Sequence, residues 1–105
     1  MQAEGVIIFD DIQGKIIFSE VPPEFATSRQ TSVGGMLINL VKKFSHEFKA
    51  GDVKSLVISS EKKIISISKR EHKYIIVLFP ITTVIEHNMI LQKTEEIFNS
   101  VINNG

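Results

Sequence analysis

The amino-acid sequence predicts an α/β domain of the α+β type: a five-stranded antiparallel sheet with one helix on each face. Three observations predict it. Short runs rich in β-branched and aromatic residues are joined by turn residues, which is typical of hairpins. Two longer segments carry apolar residues at helical spacing. Two of the short runs are apolar almost without interruption, as expected of strands covered on both faces.

The first half of the chain reads as a hairpin followed by a helix. Strand 1 is expected over Gly5–Asp10 and strand 2 over Lys15–Glu20, with Gly14 supplying a positive φ in the turn. Pro22-Pro23 ends strand 2, because proline cannot donate to a ladder. Helix 1 is expected over Thr31–Lys49. Its boundaries are marked by a capping Ser28 or Thr31 and by Gly51 after its end.

The second half reads as three strands and a second helix. The connections between these strands are short, so they are expected to form an antiparallel meander. The expected ranges are Val53–Ser60 for strand 3, Ile64–Lys69 for strand 4, Lys73–Phe79 for strand 5 and Thr83–Asn103 for helix 2.

The apolar character of the strands predicts their order in the sheet. Strands 1 and 5 are the most continuously apolar, so they belong side by side at the centre. This gives the order 2-1-5-4-3, with strands 2 and 3 at the edges. Lys15 and Glu20 on strand 2 and Lys54 on strand 3 place charges on those edges, which discourages unwanted pairing.

The composition of the chain argues against several classes of function. The 105 residues suit a single domain over 1–105 with a real hydrophobic core. Twelve basic and twelve acidic residues give a formal net charge of zero, which argues against nucleic-acid binding. Cysteine is absent, so disulfides and thiolate metal sites are excluded. No apolar run is long enough to span a bilayer, and we expect a cytoplasmic protein.

No catalytic, cofactor or metal site stands out. Ser45-His46-Glu47 contains triad residue types, but consecutive helical residues point about 100° apart, so we expect a solvated helix face. The three histidines lie in different elements, without the spacing of metal ligands. Asp10 and Asp11 are expected to serve the turn rather than a cation. The chain is therefore not expected to be an enzyme.

Helix 1 carries an apolar stripe and two adjacent glycines. We expect Met36, Leu40, Phe44 and Phe48 mainly to face the sheet, with part of the stripe left for a dimer contact. Gly34 and Gly35 each cost about 1 kcal/mol in a helix relative to alanine. A close approach compensates for that cost, either to the sheet or to a second helix across a dimer. The full stripe consists of Val33, Met36, Leu37, Leu40, Val41, Phe44 and Phe48.

Strand 2 is more apolar than a free edge needs. Ile16, Ile17 and Phe18 form an uninterrupted run, and only part of it has to be covered by the protein's own helix. The rest is a candidate partner contact. Both Gly35→Arg and Ile17→Asp are expected to abolish assembly.

The β-β-α-β-β-β-α order and the apolar hairpin resemble the roadblock and longin families, which share a profilin-like fold. The hairpin in question is Gly5-Val6-Ile7-Ile8-Phe9-Asp10 followed by Gly14-Lys15-Ile16-Ile17-Phe18, and the resemblance covers nearly the whole chain. Roadblock domains have an extra helix before strand 1, whereas only four residues precede Gly5 here.

The resemblance implies a homodimer or heterodimer that contacts its partner through helix 1 and strand 3. It also implies a non-catalytic platform for a small GTPase or a trafficking complex. The candidate interface residues are Gly34, Gly35, Met36, Leu40, Ile16, Ile17, Phe18, Val53 and Ser55.

A small-molecule sensor is the alternative. Sandwiches of a sheet and helices can hold a ligand between layers, in a pocket where polar groups converge. Ser55, Ser66 and Tyr74 are the few polar residues expected inside.

Overall fold

The computed structural model describes residues 3–22, 29–81 and 87–104, and these residues form the predicted α+β architecture. The sheet is antiparallel with the order β2-β1-β5-β4-β3, as the apolar runs predict. The elements are β1 Gly5–Asp10, β2 Lys15–Glu20, α1 Arg29–Glu47, β3 Ser55–Ser59, β4 Lys63–Arg70, β5 Lys73–Pro80 and α2 His87–Asn104.

Element boundaries differ from the predictions by a few residues. α1 begins at Arg29, two residues before the predicted start, and the side chains of Ser28 and Thr31 lie outside the described residues. The predicted start of helix 2 at Thr83 also lies outside them. β3 begins only at Ser55, because the stretch before it makes a single bond to β4, from Lys69 N to the Lys54 carbonyl at 2.9 Å.

Gly14 adopts the positive φ predicted for it, whereas the left-handed residue that closes the end of α1 is Lys49, with φ 53°, two residues before the predicted stop at Gly51. Gly14 closes the β1–β2 turn with φ 68°, and its amide donates to the Asp10 carbonyl at 2.8 Å. Gly51 lies beyond the end of α1 with φ 81°. Both values lie in the left-handed region, which glycine enters without steric cost.

The central strands are buried on both faces because each face has its own core. Successive residues of β5 alternate between these cores, so Ile75 and Val77 lie on the α2 side while Tyr74 and Ile76 lie on the α1 side. This explains the unbroken apolar runs. The α2-side core contains Ile8, Ile64, Ile75, Val77, Phe79, Ile90 and Phe98, and the α1-side core contains Phe9, Ile38, Ile67, Tyr74 and Ile76.

The two helices are offset across the sheet. α1 lies over β1 and β2 on its face, whereas α2 lies over β3, β4 and β5 on the other. On the α2 face, Ile8 of β1 is still buried in the core that Ile90 and Phe98 of α2 share, whereas the outer strand β2 borders α2. Neither described helix has the length and apolar character needed to cross a membrane.

A bulge in β2 changes which side chains share a face. Ile8 pairs with Phe18, but the next residue, Phe9, pairs with Ile16, so Ile17 is left without a partner in the β1–β2 register. Ile17 and Phe18 consequently line the same groove on the α2 side, together with Ile8. Ile16 packs against the opposite core.

Candidate interaction surface

Four large apolar side chains form an exposed stripe along α1 and just past its end. Met36 is 70% exposed, Leu40 64%, Phe44 65% and Phe48 70%. The expectation that these residues mainly face the sheet was wrong. Their four-residue spacing keeps them on one side of the helix, and that side is turned to solvent.

The rotation of α1 follows from a residue outside the predicted stripe. Ile38 is only 2% exposed and packs with Phe9 in the α1-side core. At about 100° per residue, Met36 and Leu40 each lie about 160° from Ile38 around the helix axis. Ser45, seven residues after Ile38, returns almost to the same direction and is buried.

The burial of Ser45 corrects the prediction of a solvated Ser45-His46-Glu47 face. His46 and Glu47 are exposed, but the Ser45 hydroxyl donates to the Gly51 carbonyl. This bond ties the end of α1 to the turn that leads into β3. The serine therefore has a structural partner among the described residues.

The exposed stripe ends in an aromatic pair. The ring centroids of Phe44 and Phe48 lie 4.7 Å apart with an interplanar angle of 36°. The Phe48 amide donates to the Phe44 carbonyl at 3.2 Å, which holds Phe48 close to the helix although it lies beyond the last helical residue. The two rings thus form one exposed apolar surface.

Among the described residues, the glycine pair makes no tight contact. A Cβ at Gly34 would meet none of their atoms within 4 Å, and a Cβ at Gly35 would lie 3.8 Å from Phe9 Cζ, an ordinary van der Waals distance. Of the two explanations for these glycines, packing against the sheet has one contact in its favour, between Gly35 and Phe9 of β1, at an ordinary distance. A close approach by a second molecule stays a prediction.

The beginning of the β3 region lies beside α1. Val53, Ser55 and Leu56 share a shallow depression with Leu37 and Val41 of the helix. β3 is also an edge strand. The structure therefore places predicted residues of helix 1 and strand 3 next to one another.

The predicted residues of strand 2 lie elsewhere. β2 is the edge strand opposite β3, and Ile17 and Phe18 line a groove on the α2 side of the sheet. The candidate residues are thus divided among three places. The α1–β3 surface contains Met36, Leu40, Val53 and Ser55, and the β2 edge contains Ile16, Ile17 and Phe18. Gly34 and Gly35 lie only about 40° and 60° around the helix axis from the buried Ile38, and so away from the exposed stripe.

The acidic pair of the first hairpin serves the structure, as expected. Asp10 Oδ1 accepts hydrogen bonds from the amides of Ile12 and Gln13, each at 2.9 Å. The bond from Gln13 is the main cause that lowers the pKa of Asp10; burial opposes it, and the Ile12 amide and the charges of His72 and Lys73 reinforce it.

Asp11 reaches across to α1. Its carboxylate forms an ion pair with the ammonium of Lys42, and the hydrogen bond in that pair is the main cause that raises the pKa of Lys42. The pair joins the first turn of the chain to the helix. Among the described residues no group of three histidine, aspartate or glutamate side chains is placed to hold a metal ion.

The polar residues considered for a sensor pocket do not converge. Ser66 is buried on the α2 side and bonded to Thr94, with 2.8 Å between the hydroxyl oxygens. Tyr74 is buried on the α1 side, and Ser55 is exposed. Ser55 and Tyr74 both line the shallow depression beside α1, but Ser66 lies on the other face of the sheet, so the three residues do not meet in one pocket.

Comparison with known proteins shows the fold. No protein-family model matches the chain, and no curated protein matches it. Among solved structures, Myxococcus xanthus MglB superposes with a TM-score of 0.75 at 12% identity, over 98% of this chain and 85% of that chain. A Roadblock/LC7 domain from Streptomyces avermitilis superposes with a TM-score of 0.72 at 13% identity, over 99% and 85% of the two chains.

The chain has a roadblock/longin-like fold. This confirms the resemblance inferred from the strand order and the apolar hairpin. In this roadblock/longin-like frame, the α1 stripe lies on the helix between β2 and β3. That is the helix through which the resemblance implies dimer contacts.

Proposed function

We propose that this chain is a non-catalytic protein-interaction module that dimerises through the α1–β3 surface and serves as a platform for a small GTPase or a trafficking complex. The observation that carries the proposal is the exposed stripe of Met36, Leu40, Phe44 and Phe48. Fully burying a side chain of this kind is worth about 1.5–3 kcal/mol, so four of them provide a substantial drive for association.

A second copy of a similar chain fits this surface. A two-fold interface places the same patch of both subunits in contact, so an apolar stripe on one face of a helix meets its own copy. The edge strand β3 lies beside α1 and can pair with the β3 of the partner, because an edge strand has backbone groups available for pairing.

The proposed role for the dimer rests on the fold. Members of the families with this fold hold small GTPases and trafficking complexes, and the structural similarity to MglB and to a Roadblock/LC7 domain supports placing this chain in such a role. The partner is expected to recognise the assembled dimer rather than one subunit.

The solution mass tests the dimer. Light scattering after gel filtration, over a tenfold concentration range, is expected to give twice the 11.8 kDa of the chain. Leu40→Glu and Phe44→Glu are each expected to give a monomer, because they would bury an unpaired charge in the interface. Met89→Glu, at an exposed apolar position on α2, is the matched control and should leave the mass unchanged.

Other outcomes separate the two candidate surfaces. A constant monomer mass would contradict the proposal. Loss of the dimer in Ile17→Asp, with the dimer retained in Leu40→Glu, would move the interface to the β2 edge. Mixed dimers with a second roadblock-like chain but no self-association would indicate a heterodimer.

A binding assay tests the platform role. Small GTPases loaded with GDP or with a non-hydrolysable GTP analogue are passed over the immobilised protein. Retention by the wild type and by Met89→Glu, with loss in Leu40→Glu, would support the role. If no GTPase is retained in either nucleotide state, the GTPase part of the proposal is wrong.

A further inference from the structure

A groove lies between β2 and the C-terminal end of α2. Its volume is about 530 Å³, within the ~300–1,000 Å³ typical of small-molecule sites. The apolar part of its lining comes from Ile8, Ile17, Phe18, Val101 and Ile102, and the polar part from Lys73 and Ser100.

The groove exists because of two features of the fold. α2 lies over β3, β4 and β5, so the outer strand β2 is left beside the helix, with the buried Ile8 of β1 at the base of the groove. The β2 bulge then places Ile17 and Phe18 on this same side. A bulge also disrupts the regular ladder, which makes β2 a poor template for a further strand and favours a ligand without a backbone.

Lys73 is the cation of the groove, and it has no ion-pair partner within 4 Å among the described residues. Its cross-strand neighbour Arg70 is occupied, with Nη2 2.7 Å from Glu95 and the guanidinium over the Phe98 ring. Asp10, the residue opposite Lys73 on β1, accepts two backbone amides through Oδ1, and the Lys73 charge acts on its carboxylate without forming an ion pair within 4 Å. The Lys73 ammonium is therefore left with donor capacity facing the groove.

We propose that this groove binds a long-chain carboxylate, with the carboxylate accepting hydrogen bonds from the Lys73 ammonium and the Ser100 hydroxyl and the alkyl chain lying along Ile17, Phe18 and Ile102. An apolar channel with one cation matches an anionic head on an apolar tail better than it matches a compact polar anion. The site lies on the opposite side of the sheet from the α1 stripe, so it stays open when the proposed dimer forms.

Calorimetry with dodecanoate, below its micelle concentration, tests the site on the full chain. One saturable site per chain is expected. Because a buried methylene is worth about 0.8 kcal/mol, lengthening the tail from decanoate to dodecanoate should raise affinity by roughly two- to fourfold per methylene. Dodecyltrimethylammonium has the same tail with the opposite charge, and it should bind at least tenfold more weakly.

Two lysine variants separate the specific contact from general attraction. Lys73→Gln should weaken dodecanoate binding about tenfold, the effect of losing a charged hydrogen bond. Lys15→Gln removes an exposed lysine that does not line the groove, and it should bind as the wild type does. In the wild-type protein, methyl NMR signals of Ile17, Val101 and Ile102 should shift with dodecanoate, which checks the location without any variant.

Several outcomes would overturn the proposal. These are unsaturable binding, equal binding of the cationic amphiphile, unchanged binding in Lys73→Gln, or shifts confined to methyl groups outside the groove. Co-sedimentation with phosphatidylglycerol vesicles without saturable dodecanoate binding would assign this face to a lipid surface instead. Leu40→Glu should still bind dodecanoate as a monomer, so failure of the dimer and failure of this site are distinguishable.

Discussion

At the scale of single residues, a hydroxyl pair connects α2 to the middle of the sheet. The Thr94 oxygen lies 2.8 Å from both Ser66 Oγ and the Ile90 carbonyl oxygen. Thr94 has one hydroxyl hydrogen, so it donates to the carbonyl and accepts from Ser66. Both side chains are fully buried, and their polar atoms depend on one another.

The pair predicts a non-additive mutant cycle. Thr94→Val leaves the Ser66 hydroxyl buried without this partner and should lower the free energy of unfolding by about 1–3 kcal/mol. Ser66→Ala added to Thr94→Val should restore part of that loss, because neither hydroxyl then needs a partner. Urea unfolding of the two single variants and the double variant measures the cycle. Strictly additive losses would contradict the coupling.

The second residue-scale prediction concerns Asp10 and acid. Because the pKa of Asp10 is lowered in the folded protein, its ionised form contributes stability that is fully present above the ordinary pKa of 3.8 and is lost as the pH falls through the folded value. Asp10→Asn keeps an oxygen acceptor for the two amides but does not titrate. Thermal unfolding from pH 6 to pH 2 should show wild type more stable than Asp10→Asn, with the difference shrinking below pH 3.8. A constant difference would show that ionisation of Asp10 does not contribute.

At the scale of elements, α1 packs well against the sheet through Ile38 but contains two glycines, Gly34 and Gly35, which have low helix propensity. Gly34 sits in the helix, and a Cβ there would meet no atom of the described residues within 4 Å. Gly34→Ala should therefore stabilise the isolated subunit by about 1 kcal/mol. Gly14→Ala is the matched control: its Cβ also meets nothing within 4 Å, but its φ of 68° makes alanine unfavourable, so it should destabilise.

The same Gly34 variant reports on the interface. If a second helix approaches Gly34 closely, Gly34→Ala should stabilise the subunit but weaken the dimer. The free energy of unfolding of the subunit would then rise in denaturation, while the fraction of dimer in gel filtration would fall. If the subunit stability and the dimer fraction both rise, the glycine is not a contact point between subunits.

At the scale of the whole molecule, the proposed dimer would make stability depend on concentration. Mass action favours a folded state that associates, whereas unfolded chains separate. A tenfold rise in protein concentration should raise the melting temperature of the wild type by about 3–6 °C. The melting temperature of Leu40→Glu should not change with concentration, and a dependence retained in that variant would place the association elsewhere.

The sequence by itself determined the element order, the strand order and the two-sided burial of β1 and β5. These follow from local signals: the period of apolar residues, the turn residues and the continuity of apolar runs. The sequence also indicates that at least one of Met89, Ile90 and Leu91 is exposed or contacts a partner, because three successive helical residues cannot all face a sheet. Met89 is exposed, and Ile90 is fully buried.

Only the tertiary structure decided which side of α1 packs. The helix has apolar residues on two sides, and rotation about its axis is set by how Ile38 fits against Phe9 and its neighbours rather than by spacing. The β2 bulge could not be predicted from the sequence either, since the register between strands depends on pairing across the sheet. The lateral offset of α2 depends on packing against β3, β4 and β5 together, and this offset with the bulge produces the groove beside Lys73. Local patterns identify the elements, but the surfaces left open for partners depend on contacts between residues far apart in the chain.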